Sequence, residues 1–306
     1  MNINQKYFPE FKQLFIESEP GVRINTLVGG KGNEAILLLH GHPETHLIWR
    51  FITPELTKHY TVVLTDLRGY GDSSKPEGLP DHSNYSKRVM GNDQFFVMKK
   101  LGFPKFHCAG HDRGGRVLHR MVMDHPEKLL SVIFMDILPT YDMYRDTNQE
   151  FATKYWHWFF YIQGKGFPEK LLSSAPDDFV QYNLNLKIGP TAKEQFSQDV
   201  LDEYARCLKD PMAFHGICED YRASVTIDMD LDKKDLLNPI PTPILALWGK
   251  NGVVGKLWDV LDGWQKRGSN VKGLAIPECG HFVPEEQPTI VLNTMLNFMK
   301  EFSLKE

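Results

Sequence analysis

The sequence has no long hydrophobic run and no large excess of charge of one sign. No apolar stretch approaches the roughly 18 residues that a membrane-spanning helix needs, and the first fifteen residues lack the features of a signal peptide. The formal net charge of -4 gives no general attraction to nucleic acid or to anionic membranes. We therefore expect a cytoplasmic protein that acts on small molecules and binds neither nucleic acid nor membrane.

Cysteine is also scarce, and no two cysteines form a C-x-x-C pair. The four cysteines are Cys108, Cys207, Cys218 and Cys279. This wide spacing argues against a zinc knuckle and a redox dithiol, so we predict four reduced thiols. There is no internal repeat and no low-complexity segment. A chain of 306 residues that is 42% hydrophobic can therefore form one large core, with room for a smaller appended unit.

Short apolar runs rich in β-branched residues predict seven strands. They are Val22 to Val28, Ala35 to His40, Thr61 to Asp66, Lys105 to Gly110, Ser131 to Asp136, Thr242 to Trp248 and Val271 to Ile276. Most are apolar throughout, which is typical of strands buried on both faces. Helical patterns lie between several of them, such as Tyr85 to Leu101, which Gly102 ends. The sequence therefore predicts an α/β fold with a mostly parallel sheet flanked by helices.

After Asp136 this alternation of strands and helices stops. Residues 140–215 contain aromatic-rich helical patterns, and no convincing strand occurs before Thr242. We predict a helical cap inserted between two strands of the sheet. The domain boundaries would then be 1–139 for the first part of the core, 140–215 for the cap and 216–306 for the second part of the core.

A candidate nucleophile lies where the fourth predicted strand meets a helix. Gly110-His-Asp-Arg-Gly114 has the form G-x-nucleophile-x-G, with Asp112 in the central position. Glycines suit a turn this sharp, and the helix N-terminus favours an ionised carboxylate, which can attack an electrophilic carbon. The alternative is that Asp112 only caps the helix.

A base and its supporting acid follow other strands. His281 lies on a loop after the last predicted strand, at the sheet edge where it could serve as a general base. Such a base needs a carboxylate to orient it. The ten residues after Trp248 contain none, which leaves Asp136. The predicted catalytic triad is Asp112, Asp136 and His281.

The loop after the second predicted strand offers a further group. Residues 35–43 form an apolar strand followed by His-Gly-x-Pro, and we predict an oxyanion hole made by the backbone N–H groups of His42 and Arg113. The competing interpretation is a metal cluster of His40, His42 and His46. No second histidine or aspartate cluster of matching spacing occurs, so we predict neither a metal nor a cofactor.

Three motifs carry a specific family resemblance. His111-Asp-Arg-Gly-Gly-Arg116, Met135-Asp-Ile-Leu-Pro-Thr140 and Tyr155-Trp-His-Trp-Phe159 resemble motifs of the fluoroacetate (haloacetate) dehalogenases, which have the α/β-hydrolase fold with an inserted helical cap. The resemblance extends over residues 8–281. It implies hydrolytic dehalogenation of a small haloacid, fluoroacetate in particular, through an ester formed on the aspartate. It also implies a homodimer.

The resemblance implies roles for five further residues. Arg113 and Arg116 would clamp the substrate carboxylate, to which a guanidinium offers forked donors. His157, Trp158 and Tyr221 would bind the halide through an imidazole N–H, an indole N–H and a phenolic hydroxyl. The alternatives are that Arg116 makes an ordinary surface salt bridge and that the aromatic rings are core of the cap.

Two rival functions and one departure remain open. An epoxide hydrolase would use the same aspartate, with Tyr221 as one of two proton donors, although Arg113 suits that chemistry poorly. A binding protein without catalytic activity is the other rival. The family's further cap tryptophan is absent from Tyr182 to Ile188. The halogen preference and the length of the substrate are therefore open.

Overall fold

The computed structural model describes residues 2–190 and 192–304 and is built on one eight-stranded sheet. The strands are β1 Lys12–Glu19, β2 Val22–Gly29, β3 Ala35–Leu39, β4 Thr61–Thr65, β5 Phe106–His111, β6 Leu129–Met135, β7 Ile244–Gly249 and β8 Val271–Ile276. Their order across the sheet is β1-β2-β4-β3-β5-β6-β7-β8. The pairs β1–β2 and β2–β4 are antiparallel and the other five are parallel. The predicted mostly parallel sheet is confirmed.

Sixteen α-helices surround or extend from this sheet in the described ranges. They are α1 Ile3–Tyr7, α2 Thr53–Leu56, α3 Lys87–Lys100, α4 Asp112–Asp124, α5 Thr140–Arg145, α6 Gln149–Lys154, α7 Trp156–Phe160, α8 Phe167–Leu172, α9 Pro176–Lys187, α10 Gln198–Leu208, α11 Ala213–Ala223, α12 Met229–Lys234, α13 Val253–Leu257, α14 Val260–Gln265, α15 Val283–Glu286 and α16 Pro288–Lys300. Within residues 2–190 and 192–304, no helix has the length and apolar character of a bilayer span.

The central strands are apolar because both of their faces are covered. All residues of β3 and β4 are buried, as the uninterrupted apolar runs predict. The sequence prediction missed β1, a mostly exposed edge strand whose Lys12–Glu19 segment contains only three consecutive apolar residues. It pairs with β2 alone, so it did not need the continuous apolar pattern of a buried strand.

The helix predicted from Tyr85 to Leu101 is α3. Its N-terminus is capped by the Ser86 side chain, which accepts a hydrogen bond from the N–H of Val89. Gly102 follows with a φ of +88°, a left-handed conformation that glycine adopts without strain. Tyr85 itself lies in a preceding 3₁₀ turn.

Between β6 and β7 the chain runs through α5 to α12. A π-helix, Ser224–Asp228, continues α11 and leads into α12. The predicted cap boundary at residue 215 falls inside α11, so the helical segment extends past that boundary towards β7. All four cysteines are free, as predicted, and all four are buried.

Candidate active site

Asp112 occupies a tight turn between β5 and α4. Its φ is +45°, which is unusual for a residue other than glycine and signals a constrained backbone. A Cβ at Gly110 would lie 2.6 Å from the carbonyl oxygen of Gly114, and a Cβ at Gly114 would lie 2.4 Å from that of Leu39. The turn therefore excludes side chains at both glycines, and it presents Asp112 at the carboxyl end of the parallel strands.

Asp136 and His281 reach the same edge of the sheet. Asp136 follows β6, also with a positive φ of +51°, and His281 lies on the loop after β8. His281 Nδ1 is 2.6 Å from Asp136 Oδ2, while its Nε2 is 3.7 Å from Asp112 Oδ2. An Nδ1–H that donates to Asp136 leaves Nε2 as the basic atom. Nε2 is buried and has no hydrogen-bond partner among the described residues.

The loop after β3 contacts the Asp112 carboxylate. The backbone N–H of His42 donates to Asp112 Oδ1 at 3.0 Å. A Cβ at Gly41 would lie only 2.5 Å from Cβ of Asp112, so a glycine is required for this close approach. The N–H of Arg113 belongs to the first turn of α4, where backbone donors have no partner within the helix.

Charges around Asp112 keep its carboxylate ionised. Burial alone would raise the pKa of Asp112, but His281, Lys187, His111 and Arg113 together hold it well below its ordinary value. The group is 2% exposed. An ionised carboxylate in this dry position is poorly hydrated and is thereby a better nucleophile.

A second buried pair beside the nucleophile was not predicted. His111 Nδ1 lies 2.9 Å from Glu44 Oε2, and its Nε2 lies 2.7 Å from the backbone oxygen of His281. Burial disfavours a charged imidazole, but the Glu44 carboxylate raises the pKa of His111 to about 9. A protonated His111 donates to both oxygens and so ties the backbone of His281 to the nucleophile turn.

Arg113 is held by a carboxylate that the sequence analysis also missed. Its Nε donates to Asp220 Oδ2 at 2.8 Å, and its Nη2 donates to Asp220 Oδ1 at 2.9 Å and to the hydroxyl of Ser224 at 2.6 Å. Lys87 and Tyr70 also donate to Asp220. The charge of Arg113 is therefore balanced inside the protein, while its Nη1 lies outside these hydrogen bonds.

Arg116 differs because it has no carboxylate partner among the described residues. Its Nη1 donates to the backbone oxygen of Leu138 and to the hydroxyl of Thr140, both at 3.1 Å. Its Nε is buried without a partner. The predicted alternative of a surface salt bridge for Arg116 is wrong, since the residue is only 2% exposed and does not lie on the surface.

The three predicted halide-binding residues lie together. The ring centroid of Tyr221 is 6.0 Å from that of His157 and 6.3 Å from that of Trp158. Each of the three has a buried polar atom without a partner in the described chain: Nδ1 of His157, Nε1 of Trp158 and the hydroxyl of Tyr221. Arg113 stacks on the Tyr221 ring at 3.9 Å, and Arg116 stacks on Trp158 at 4.5 Å.

A buried lysine, Lys187, completes the surroundings of these residues. It ends α9, and its Nζ is 3.3 Å from His157 Nε2. Its backbone oxygen accepts from the N–H of His281 at 3.0 Å. Sequence reasoning missed it because a lysine in the last turn of a helix is expected for exposed helices too.

The three histidines of the alternative metal cluster have separate partners. His40 hydrogen-bonds to the Gly41 oxygen, His42 to the Tyr161 hydroxyl, and His46 to Asp66. In the part of the chain that the structure describes, no three His, Cys, Asp or Glu side chains are arranged to hold a metal ion.

Comparisons with known proteins agree with this architecture. The family model of the alpha/beta hydrolase fold matches residues 34–288. A fluoroacetate dehalogenase from Burkholderia sp. is 43% identical, over 92% of this chain and 91% of that protein. A soluble epoxide hydrolase from Corynebacterium sp. (strain C12) is 30% identical, over 91% of this chain and 94% of that protein.

A solved structure is also similar to this chain over nearly its whole length. A crystal structure from Nostoc sp. PCC 7120, described provisionally as an alpha/beta hydrolase, has a TM-score of 0.91 and 46% identity over 95% of this chain and 99% of that chain. The predicted fold and the prediction of a hydrolase are confirmed. The chain therefore belongs to the fluoroacetate dehalogenase family of the α/β-hydrolase fold.

Proposed function

We propose that the protein hydrolyses the carbon–halogen bond of a small haloacid, with fluoroacetate as the foremost candidate. The observation that carries this proposal is the cluster of His157, Trp158 and Tyr221. Three of its polar atoms are buried without a partner in the described chain. The rings of His157 and Tyr221 lie 6.3 Å and 6.2 Å from that of His42, whose backbone N–H contacts Asp112. Unsatisfied buried donors are costly, and an anion would satisfy them. The 43% identity to a fluoroacetate dehalogenase supports the same reaction.

In the first step, an oxygen of Asp112 attacks the carbon that bears the halogen. A carbon–oxygen bond forms, and the electron pair of the carbon–halogen bond leaves with the halide. The substrate carboxylate would lie against Arg113 and Arg116, whose positive charges offset its repulsion by Asp112. Nε of Arg116 is buried without a partner among the described residues, so it is free to donate to that carboxylate.

In the second step, water hydrolyses the ester of Asp112. His281 Nε2 takes a proton from the water, and Asp136 stabilises the imidazolium through the 2.6 Å contact at Nδ1. The N–H of His42, which contacts Asp112 Oδ1 at 3.0 Å, and the N–H of Arg113 would stabilise the oxyanion. As the ester carbon–oxygen bond at the Asp112 carbonyl breaks, the leaving oxygen takes the proton from His281 and the hydroxy acid is released. The new Asp112 carboxyl loses its proton to solvent and is again a carboxylate.

A His281→Ala variant tests this pathway. The variant should release about one halide per active site and then stop, because the ester forms but is not hydrolysed; steady-state turnover should fall by roughly 10²- to 10⁴-fold. Mass spectrometry should find the adduct on the peptide that contains Asp112. His59→Ala, which removes a largely exposed histidine, is the matched control and should turn over like the wild type.

Isotope labelling gives an independent check. In heavy-oxygen water, a single turnover of the wild type should place the label in the Asp112 carboxylate. Label found only in the hydroxy acid would overturn the covalent mechanism. Absence of halide release from fluoro-, chloro- and bromoacetate alike would overturn the proposed substrate class.

An epoxide hydrolase is the second candidate. Tyr221 carries an unpartnered hydroxyl, and its ring lies 5.0 Å from that of Tyr161, so two cap phenols lie close together. The 30% identity to a soluble epoxide hydrolase points the same way. The unpaired guanidinium of Arg116 favours the haloacid, because a neutral epoxide gives this buried cation no counter-charge. Diol formation from simple epoxides, without halide release from haloacids, would decide for the epoxide hydrolase.

A further inference from the structure

Lys187 is a buried lysine without an ionic partner among the described residues. Burial lowers the pKa of its ammonium, and the carboxylates of Asp112, Glu44 and Asp136 oppose this by favouring the charged form. The side chain of Lys187 is largely shielded from water, with the residue 5% exposed, and no carboxylate of the described chain lies within 4.0 Å of its Nζ. Its one hydrogen bond to the described residues is to an imidazole nitrogen, Nε2 of His157. A lysine in such a position costs stability unless something compensates its charge. Cations held in this way are commonly functional.

The surroundings of Lys187 identify where a compensating anion would lie. The ammonium is 3.3 Å from His157, whose ring is 6.0 Å from that of Tyr221. Its charge also acts on Asp112, where only His281 contributes more to lowering the pKa of the carboxyl. Lys187 therefore lies beside the unpartnered donors of the cap, and its charge acts on the nucleophile.

The contact with His157 also fixes which imidazole nitrogen carries the proton. An ammonium has no lone pair, so it donates to Nε2 of His157. Burial lowers the pKa of His157 well below its ordinary value, so the ring is neutral and its proton resides on Nδ1. This nitrogen is the atom of His157 that has no partner in the described chain. Lys187 thus makes His157 a donor towards an anion.

We propose that the Lys187 ammonium stabilises the departing halide, acting together with the donors of His157, Trp158 and Tyr221. This inference deepens the proposed function and rests on it. An ammonium is a compact point charge and suits a spherical anion, whereas the forked guanidinium groups on α4 suit a planar carboxylate. The guanidinium groups would then bind the substrate carboxylate, and the Lys187 ammonium would bind the halide.

Charge balance supports this division. Before the reaction, the negative charges of Asp112 and the substrate carboxylate face the unpaired cations Arg116 and Lys187. When the new carbon–oxygen bond forms, the charge of Asp112 passes to the halide as the carbon–halogen bond breaks. The number of negative charges in the site does not change. Lys187 stabilises the negative charge that develops on the halide, which lowers the barrier to the step.

The choice of halogen provides the test. Fluoride is a poorer leaving group than bromide and needs more stabilisation in the transition state. Lys187→Met, which removes the charge and retains the apolar stem, should lower fluoride release from fluoroacetate by about 10²-fold or more. Bromide release from bromoacetate should fall by a much smaller factor. Lys187→Arg keeps a cation and should retain more of the fluoride reaction than Lys187→Met.

Halide binding at equilibrium separates this inference from the proposed reaction. Bromide should quench the tryptophan fluorescence of the wild type, and the apparent bromide affinity should fall by about tenfold in Lys187→Met. Trp158→Phe identifies the part of the signal that comes from this site. If the wild type releases no halide from any haloacetate, the proposed function fails, but the binding comparison still tests the anion site.

Two outcomes would overturn the role of Lys187. One is an equal loss of fluoride and bromide release in Lys187→Met, which is what a purely structural role produces. The other is an unchanged bromide affinity. If Lys187→Met fails to fold by circular dichroism, Lys187→Gln replaces it in both measurements and is judged by the same two outcomes.

Discussion

At the scale of single residues, the charges around Asp112 fall into paired and unpaired groups. Arg113 is paired with Asp220, and His111 is paired with Glu44. Arg116 and Lys187 have no carboxylate partner in the described chain. Pairing keeps the first group in fixed positions, while the second group keeps its charge available for an anionic substrate and product.

The His111–Glu44 pair makes stability depend on pH. The pKa of His111 is raised to about 9 in the folded protein, above the 6.5 of a free imidazole. The folded state therefore binds the proton more tightly, and the resulting stabilisation is complete below pH 6.5 and lost as the pH rises through 9. We expect Glu44→Gln to reduce the free energy of unfolding by roughly 3 kcal/mol at pH 6 and by little at pH 10.

Urea unfolding of wild type and Glu44→Gln at pH 6, 8 and 10 measures this dependence. The control is Glu127→Gln, which removes the carboxylate of the exposed His125–Glu127 pair and should change stability by less than about 1 kcal/mol at every pH. If the wild type and Glu44→Gln differ equally at pH 6 and pH 10, the charged state of His111 does not contribute as described.

Sequence reasoning predicted the residues that follow strands and missed those that meet through the fold. Asp112, Asp136 and His281 each come just after a strand or on the loop that follows one, so parallel pairing brings them to one edge. Glu44, on the loop after β3, was missed because its role is to pair with His111. Asp220 and Lys187 come instead from α11 and from the end of α9. Their positions depend on how the helical segment packs on the sheet, which has no signature in residue spacing.

At the scale of elements, the turn between β5 and α4 depends on its glycines. A Cβ at Gly114 would lie 2.4 Å and 2.5 Å from the backbone oxygens of Leu39 and His40, and backbone atoms cannot move aside easily. Gly114→Ala should therefore lower the free energy of unfolding by about 3 kcal/mol or more, at the upper end of typical overpacking effects. Thermal unfolding monitored by circular dichroism measures this loss.

Gly164→Ala is the matched control for this substitution. Gly164 lies in a turn after α7, and a Cβ there would meet no atom within 4 Å. Its stability should stay within about 0.5 kcal/mol of the wild type, since open surface tolerates a methyl group. Equal stability of Gly114→Ala and Gly164→Ala would contradict the packing of the turn.

The elements themselves were predictable to different degrees. Strands such as β3 and β4 are buried on both faces, so their apolar runs stand out in the sequence. The edge strand β1 exposes much of its surface, and Phe15 is 51% exposed, so its composition resembles that of a loop. The end of the helical segment was harder to predict than the strands, because α11 continues past the predicted boundary at residue 215.

At the scale of the whole molecule, Asp220 joins α11 to three other parts of the fold. From α11 it accepts hydrogen bonds from Arg113 on α4, from Lys87 on α3 and from Tyr70 in a loop of the core. Burial opposes its ionisation, but Arg113 and Lys87 lower the pKa of Asp220 below its ordinary value. Asp220 is thus one of the buried carboxylates that link the helical segment between β6 and β7 to the core, as is Asp228, which accepts from the backbone N–H of Lys87 at 2.9 Å.

Replacing that carboxylate should loosen the helical segment from the core. Asp220→Asn leaves Arg113 and Lys87 buried with less compensating charge, and we expect a loss of roughly 3–5 kcal/mol in the free energy of unfolding. Amide hydrogen exchange in α11 and the adjoining π-helix should become faster than in β3 and β5. Asp177→Asn, which removes the exposed ion pair with Lys209, should change stability by less than about 1 kcal/mol. If α11 exchanges no faster in Asp220→Asn than in the wild type, Asp220 does not hold the helical segment to the core.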